Sequence, residues 1–231
     1  MTTRVLKNHS LPVQIEGFPY ILGGLILTIA SAVVWRSMDL SLAWAPAFAT
    51  LLFGVFTAFS VWFYRCPKVA GPQDDLNAVV SPASGRVLNV MDVPGTRIGE
   101  SAARKISIFM SPMDVHVNRA PVAGVIEAIQ YNKGKFFKAD LDKASAENEH
   151  NWVVMKSDLG PKVAFVQIAG FVARRIVCYV QPGERLTRSE RYGMIRFGSR
   201  MEIIVPAGSE ILVKPGERTE AGVTKLARFK I

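Results

Sequence analysis

Arg191-Tyr-Gly-Met-Ile-Arg-Phe-Gly-Ser-Arg-Met-Glu-Ile-Ile-Val-Pro206 reads as two short apolar runs, residues 194–197 and 201–205, on either side of the pair Gly198-Ser199. Runs of that length, rich in Ile, Val and Met and interrupted by Gly and Ser, are strands meeting at a turn. A Gly-Ser pair most often does no more than make such a turn. It also has a chemical use. Glycine lacks a Cβ, so it can hold a strained backbone with its carbonyl open to attack, and the next hydroxyl is placed to attack it. An N-to-O acyl shift followed by β-elimination would cut the chain there. The new N-terminal residue, dehydroalanine, hydrolyses to a pyruvoyl ketone, an electron sink of the pyridoxal kind. The pair alone does not choose between the two readings.

Outward from this stretch the pattern continues. Short apolar runs bounded by turn residues occur at 78–80, 86–93, 105–110, 125–131, 152–155, 163–168 and 211–213. The alternation Ile106, Ile108, Met110 is the cleanest of them. Residues 171–180 fit either period, and 136–150 read as loop or irregular helix. Pro82-Ala-Ser-Gly-Arg-Val87 and Pro121-Val-Ala-Gly-Val-Ile126 share Pro-x-x-Gly before a strand, and Lys214-Pro-Gly-Glu-Arg-Thr-Glu-Ala-Gly-Val223 is a turn of lipoyl-like type. The expectation for residues 77–231 is a mainly β (α+β) domain, a compact lipoyl-like sandwich. Residues 66–76, with Pro67, Gly71 and Pro72, read as a linker.

The N-terminal part differs. Residues 1–17 are polar. Residues 18–35 carry no charge and would be ~27 Å long as a helix, and residues 42–64 would be ~34 Å. With a short turn around Arg36 between them, residues 18–65 are predicted to be a transmembrane helical hairpin. Trp35, Trp44, Trp62 and Tyr64 sit near its ends, as interfacial aromatics do. No small-residue cleavage site follows the first run, which argues against a signal peptide. Arg4, Lys7, Arg65 and Lys68 outside the hairpin outweigh Arg36 in its turn, so both ends are expected in the cytoplasm, at the inner membrane.

The 231 residues carry a formal charge of +9 and a mean hydropathy of +0.21. The charge calls for an anionic partner. No nucleic-acid-binding signature accompanies it, and an anionic bilayer suits an anchored chain better. Cys66 and Cys178 have neither metal-ligand spacing nor the pattern of a disulfide framework, so no metal is expected. Of three histidines, His9 and His150 stand in polar surroundings, which leaves His116 as the acid–base candidate.

Arg196-Phe-Gly-Ser-Arg200, Asp114-Val-His-Val-Asn-Arg-Ala-Pro121, Gln167-Ile-Ala-Gly-Phe-Val-Ala-Arg-Arg-Ile176 and Asp142-Lys-Ala-Ser145 together resemble the short bacterial form of phosphatidylserine decarboxylase, over nearly the whole chain. The resemblance implies self-cleavage at Gly198-Ser199 into a β chain of residues 1–198 and an α chain of residues 199–231. It implies a pyruvoyl cofactor made from Ser199 that forms a Schiff base with phosphatidylserine in an anionic membrane, with His116 as general acid or base and phosphatidylethanolamine as product. Arg119, Arg174 and Arg175, with the lysines between 133 and 138, offer cations for the phosphodiester and carboxylate. A homodimer is left open.

Three positions depart from the family pattern. Ser84 stands where the family has an aspartate assigned to self-processing, Arg119 where long forms have a second histidine, and His150 where the pattern has arginine. A serine hydroxyl cannot replace a carboxylate as base or imidazole orienter. Either Asp114 or another acid serves, or maturation is slow, or the chain is a processing-deficient proenzyme. The rival readings are a decarboxylase of another seryl phospholipid such as an archaetidyl lipid, a tethered lipoyl-like module without chemistry, and a membrane serine peptidase using Ser199.

Overall fold

The computed structural model describes residues 12–39, 42–137, 147–171, 175–196 and 198–230, and divides into two compact units, residues 10–68 and the remainder. The smaller unit holds α1 (Phe18–Ser37) and α2 (Trp44–Phe63). Pro19 falls in the first turn of α1, where its missing N–H is no loss. The two helices lie side by side. A Cβ added at Gly24 would come within 2.5 Å of Thr57 Oγ1, and Thr50 Oγ1 donates to Ser31 Oγ at 3.0 Å. Small residues and hydroxyls at a helix crossing are how helices pack where no hydrophobic force separates neighbour from solvent. Leu22, Ile26, Val33, Leu51, Leu52 and Val55 are exposed, and both helices are long and apolar enough to cross a membrane.

The larger unit is built from β1 (Ala78–Val80), β2 (Gly85–Pro94), β3 (Ala102–Met110), β4 (Val117–Arg119), β5 (Gly124–Asn132), β6 (His150–Ser157), β7 (Lys162–Ile168), β8 (Ile176–Cys178), β9 (Arg185–Leu186), β10 (Arg191–Ile195), β11 (Ser199–Pro206), β12 (Glu210–Ile211), β13 (Arg218–Thr219) and β14 (Lys225–Arg228). Among the described residues eight strands form one curled antiparallel sheet in the order β13-β2-β3-β11-β7-β6-β5-β9. Two three-stranded sheets, β1-β14-β12 and β4-β10-β8, complete the unit. The main core unites Ile106, Ile108, Phe165, Met201 and Ile203 of the large sheet with Val79, Leu226 and Ala227 of one small sheet and Tyr192 and Ile195 of the other. The small sheets therefore pack on one face of the large one, as the expected sandwich requires.

Strand β11 lies inside the large sheet, paired to β3 (Ser199 with Met110, Met201 with Ile108) and to β7 (Met201 with Gln167, Ile203 with Phe165). Side chains alternate along it. Ser199, Met201 and Ile203 share the main-core face, while Ile204, with Ile98, Ala103 and Ala164, forms a second cluster. A strand buried on both faces explains the unbroken apolar run at 203–205.

Most sequence expectations for strands land within a few residues. The run at 194–197 is displaced, because β10 starts at Arg191 and ends at Ile195. The ambiguous stretch at 171–180 yields the short strand β8. Residues 138–146, most of the segment read as loop or irregular helix, lie outside the described residues, as do His9, Arg4 and Lys7.

Candidate active site

Gly198 has φ +60°, and a Cβ there would meet nothing within 4 Å. The constraint is therefore conformational rather than steric: the turn needs the left-handed region, which glycine enters without penalty. Ser199 follows as the first residue of β11 and is fully buried. Its hydroxyl donates to the sulfur of Met110 at 3.4 Å. A thioether is a weak acceptor, so this hydroxyl is held without being strongly bound.

His116 reaches the same region through the end of β3. Met110 leads into a loop closed by Asp114, whose Oδ2 accepts the Ser111 N–H at 2.8 Å. His116 follows, almost wholly buried, and β4 begins at once. Strand β4 runs antiparallel to β10, and the Ile195 N–H donates to the His116 carbonyl at 3.3 Å, three residues before Gly198. The imidazole Nδ1 lies 2.9 Å from the Asp114 carbonyl. A carbonyl only accepts, so Nδ1 carries the hydrogen and the neutral ring keeps its lone pair on Nε2.

Ser84 sits in a buried turn between β1 and β2, and its Oγ accepts the Ala221 N–H at 3.0 Å. Gly85 allows that turn to press against β3, since a Cβ there would collide with the Phe109 carbonyl. Arg86 and Arg200 both pair with Phe109 from opposite sides. The start of β2 is thus two strand spacings, roughly 10 Å, from the start of β11. The turn is tied to the histidine strand as well, by the Arg119 N–H to the Pro82 carbonyl at 3.0 Å.

Asp114 has each carboxylate oxygen engaged, Oδ2 by Ser111 and Oδ1 by Arg218 at 3.2 Å. With both oxygens occupied, the carboxylate serves as the anchor of this loop. Arg119 is buried, its Nη1 donating to the Ser189 carbonyl at 2.8 Å, which joins β4 to the turn before β10. Arg175 is exposed beside β8, and its carbonyl accepts the Arg196 N–H at 3.3 Å. Arg174 lies outside the described residues. His150 is half-buried at the start of β6 rather than in a loop, with Nδ1 2.6 Å from the Asn148 carbonyl.

Two groups of polar residues around Ser199 escaped the sequence reading. On the opposite face of β11, Arg200 and Glu202 are almost fully buried, with Nη2 2.9 Å from Oε1. Ser107 joins them, accepting from Arg200 Nη2 at 2.8 Å, and Lys105 Nζ lies 3.5 Å from Glu202. On the same face as Ser199, Asn118, Asn151 and Gln167 are buried and mutually bonded. The available signal was a polar residue inside an otherwise apolar strand run, as Gln167 is at 163–168. Among the described residues no cluster of three His, Cys, Asp or Glu side chains is placed to hold a metal ion.

Comparison with known proteins gives consistent matches. A sequence profile for phosphatidylserine decarboxylase matches residues 56–227. The chain is 43% identical over 224 residues to a phosphatidylserine decarboxylase proenzyme of Pelobacter propionicus, covering 97% of this chain and all of that one. A proenzyme of the same name from Trichlorobacter lovleyi is 47% identical over 217 residues (93% and 95%), and one from Saccharopolyspora erythraea 41% over 221 residues (94% and 89%).

Proposed function

The chain belongs to the phosphatidylserine decarboxylase family and is an enzyme that decarboxylates phosphatidylserine, and from that premise we propose that it does so with a pyruvoyl group made from its own Ser199. The observation that carries the reading is the junction itself: a left-handed Gly198 followed by a fully buried serine whose hydroxyl, among the described residues, is held by a thioether. Loss of the hydroxyl proton lets Oγ add to the Gly198 carbonyl carbon. The C–N bond then breaks, the nitrogen takes up a proton, and an ester remains. Removal of the residue-199 Cα proton breaks the Cβ–Oγ bond, and the electron pair leaves on Oγ as the Gly198 carboxylate. Water replaces the nitrogen and ammonia departs, which leaves the ketone. The fit of this site to such a group rests on those same features.

That ketone supplies an electron sink for loss of carbon dioxide from the serine headgroup. His116 holds and moves the proton, with Nε2 as the working atom because Nδ1–H is committed to the Asp114 carbonyl. Ser199 is shut from solvent in the uncut chain, so the two new chain ends must part before a headgroup can reach it. The cut also leaves β11 at the head of the α chain, paired on both sides to strands of the β chain. The helical hairpin anchors the enzyme where its substrate lies, with both ends in the cytoplasm, and the net charge of +9 favours the anionic leaflet.

The test compares the parental chain with Ser199→Ala by intact mass and denaturing gel, and follows conversion of phosphatidylserine in detergent micelles. The expected result is two chains, 1–198 and 199–231, with activity for the parent, and one inactive chain for the variant. Decarboxylation by Ser199→Ala would overturn the reading.

A further inference from the structure

Three buried carboxamides run in line beneath the junction. Asn151 Nδ2 donates to Gln167 Oε1 at 3.0 Å, and Gln167 Nε2 donates to Asn118 Oδ1 at 2.9 Å. Asn118 Nδ2 then faces the Met110 sulfur at 3.9 Å, the same atom that accepts from Ser199 Oγ at 3.4 Å. All five side chains are at least 98% buried. The direction of the line is not arbitrary. Gln167 Nε2 also donates to the Val177 carbonyl at 3.1 Å, and a carbonyl can only accept. That bond fixes which end of Gln167 is nitrogen, hence which end of Asn118 is oxygen, and so the Asn118 N–H groups point toward Met110. Gly193 is part of the arrangement, because a Cβ there would stand 2.9 Å from Gln167 Nε2 and collide with the Val177 carbonyl.

A line of amides that only satisfied itself would have no reason to end on a sulfur, the weakest acceptor available. The sulfur on which it ends is the one that accepts from Ser199 Oγ, the oxygen that changes most during the proposed cut. Met110 is unbranched and flexible, so its sulfur can give way as charge builds beside it. We infer that Asn118, aimed by Gln167 and Asn151, donates a hydrogen bond to Ser199 Oγ as that oxygen leaves as the Gly198 carboxylate. The inference rests on the pyruvoyl reading above and assigns a donor to its elimination step: the Cβ–Oγ bond breaks, the electron pair settles on Oγ, and the fixed amide dipole stabilises it without reorganising. Gln167 and Asn151 act through Asn118 and are positioning residues.

The experiment follows cleavage at Gly198-Ser199 over time in the full-length chain, with hydroxylamine added to aliquots to cut any ester at that junction. Asn118→Leu keeps the volume and removes the donor. Asn118→Asp keeps the shape and the bond from Gln167 but presents an oxygen to Ser199, so it covers the case in which the leucine variant fails to fold. Each should slow formation of the finished α chain by about 100- to 1,000-fold, the usual consequence of losing one such donor, with hydroxylamine-sensitive ester accumulating. Gln167→Met should slow it less and build up the same ester. Cleavage of the folded variants at the parental rate, or slowing with no ester, overturns the inference and leaves the pyruvoyl reading standing. A parental chain never cut at this bond sinks both.

Discussion

At the scale of single residues, the informative position is Ser84. Its hydroxyl accepts one backbone N–H from Ala221, a bond that an aspartate carboxylate would accept equally well, so Ser84→Asp should fold unchanged. A hydroxyl has no useful basicity near neutral pH, whereas a positioned general base contributes ~100- to 10,000-fold. The parental chain is therefore expected to be cut slowly, with precursor accumulating beside the two chains, and Ser84→Asp should raise the rate at which two chains appear in a time course on denaturing gels. Equal, rapid cleavage of both would point to another group as the base, and the engaged carboxylate of Asp114 makes that aspartate a poor choice. His116→Ala should lower decarboxylation by a similar ~100- to 10,000-fold in enzyme already cleaved, measured as kcat on micellar phosphatidylserine; unchanged kcat would remove the histidine from the proton path. Gly198, Ser199 and His116 could be nominated from the sequence because the chemistry proposed for them depends on residue type and near neighbours. Asn118 could not. The role inferred for it depends on its bond from Gln167, a residue distant in sequence that only the fold brings to it.

At the scale of elements, β11 carries opposite cargoes on its two faces, Ser199 on one and the Arg200–Glu202 pair on the other. Removing one member of a buried ion pair leaves a charge stranded, typically at a cost of about 3–5 kcal/mol. Glu202→Ala is expected to lose that order of stability in urea denaturation. Arg200→Met with Glu202→Leu should recover most of it, since apolar pairs of similar volume often replace buried salt bridges without loss. A double variant no better than the single one would show that Ser107 and Lys105 matter more than the pair itself. Strands β8 and β10 add a pH dependence. Burial pushes the Cys178 thiol up, and burial with the neighbouring Cys178 pushes the Tyr192 phenol well above its ordinary value. Both groups hold their protons more tightly folded than unfolded. The stability they contribute is intact below the unfolded thiol value of about 8.5 and lost as pH rises through the folded values. The denaturation midpoint should fall between pH 7.5 and 10.5, and less steeply in Cys178→Ala; a flat profile would contradict the shift. Long apolar elements were legible from the sequence as patterns, whereas β4, β9 and β13, of two or three residues each, carry too few residues for any period to register.

At the scale of the whole molecule, the two apolar helices set one expectation. The enzyme should stay with membranes through high salt and carbonate and be released only by detergent; release by carbonate would reduce the hairpin to a surface contact. The sandwich class was readable from turn spacing. The strand order was not, because pairing β11 between β3 and β7 joins segments some thirty to a hundred residues apart. That placement has a further consequence once the bond before Ser199 is cut. The α chain contributes an inner strand of the large sheet, a partner to β2 and the middle strand of a small sheet, so neither product is left with a complete core. Refolding the precursor is a unimolecular search. Refolding the cut enzyme requires two separate chains to collide, and its yield after denaturation should fall on dilution while that of Ser199→Ala does not. On the pyruvoyl reading proposed above, maturation spends the chain's capacity for self-repair: the active form is assembled once, from its precursor, and a molecule that loses its short chain in dilute solution has no route back.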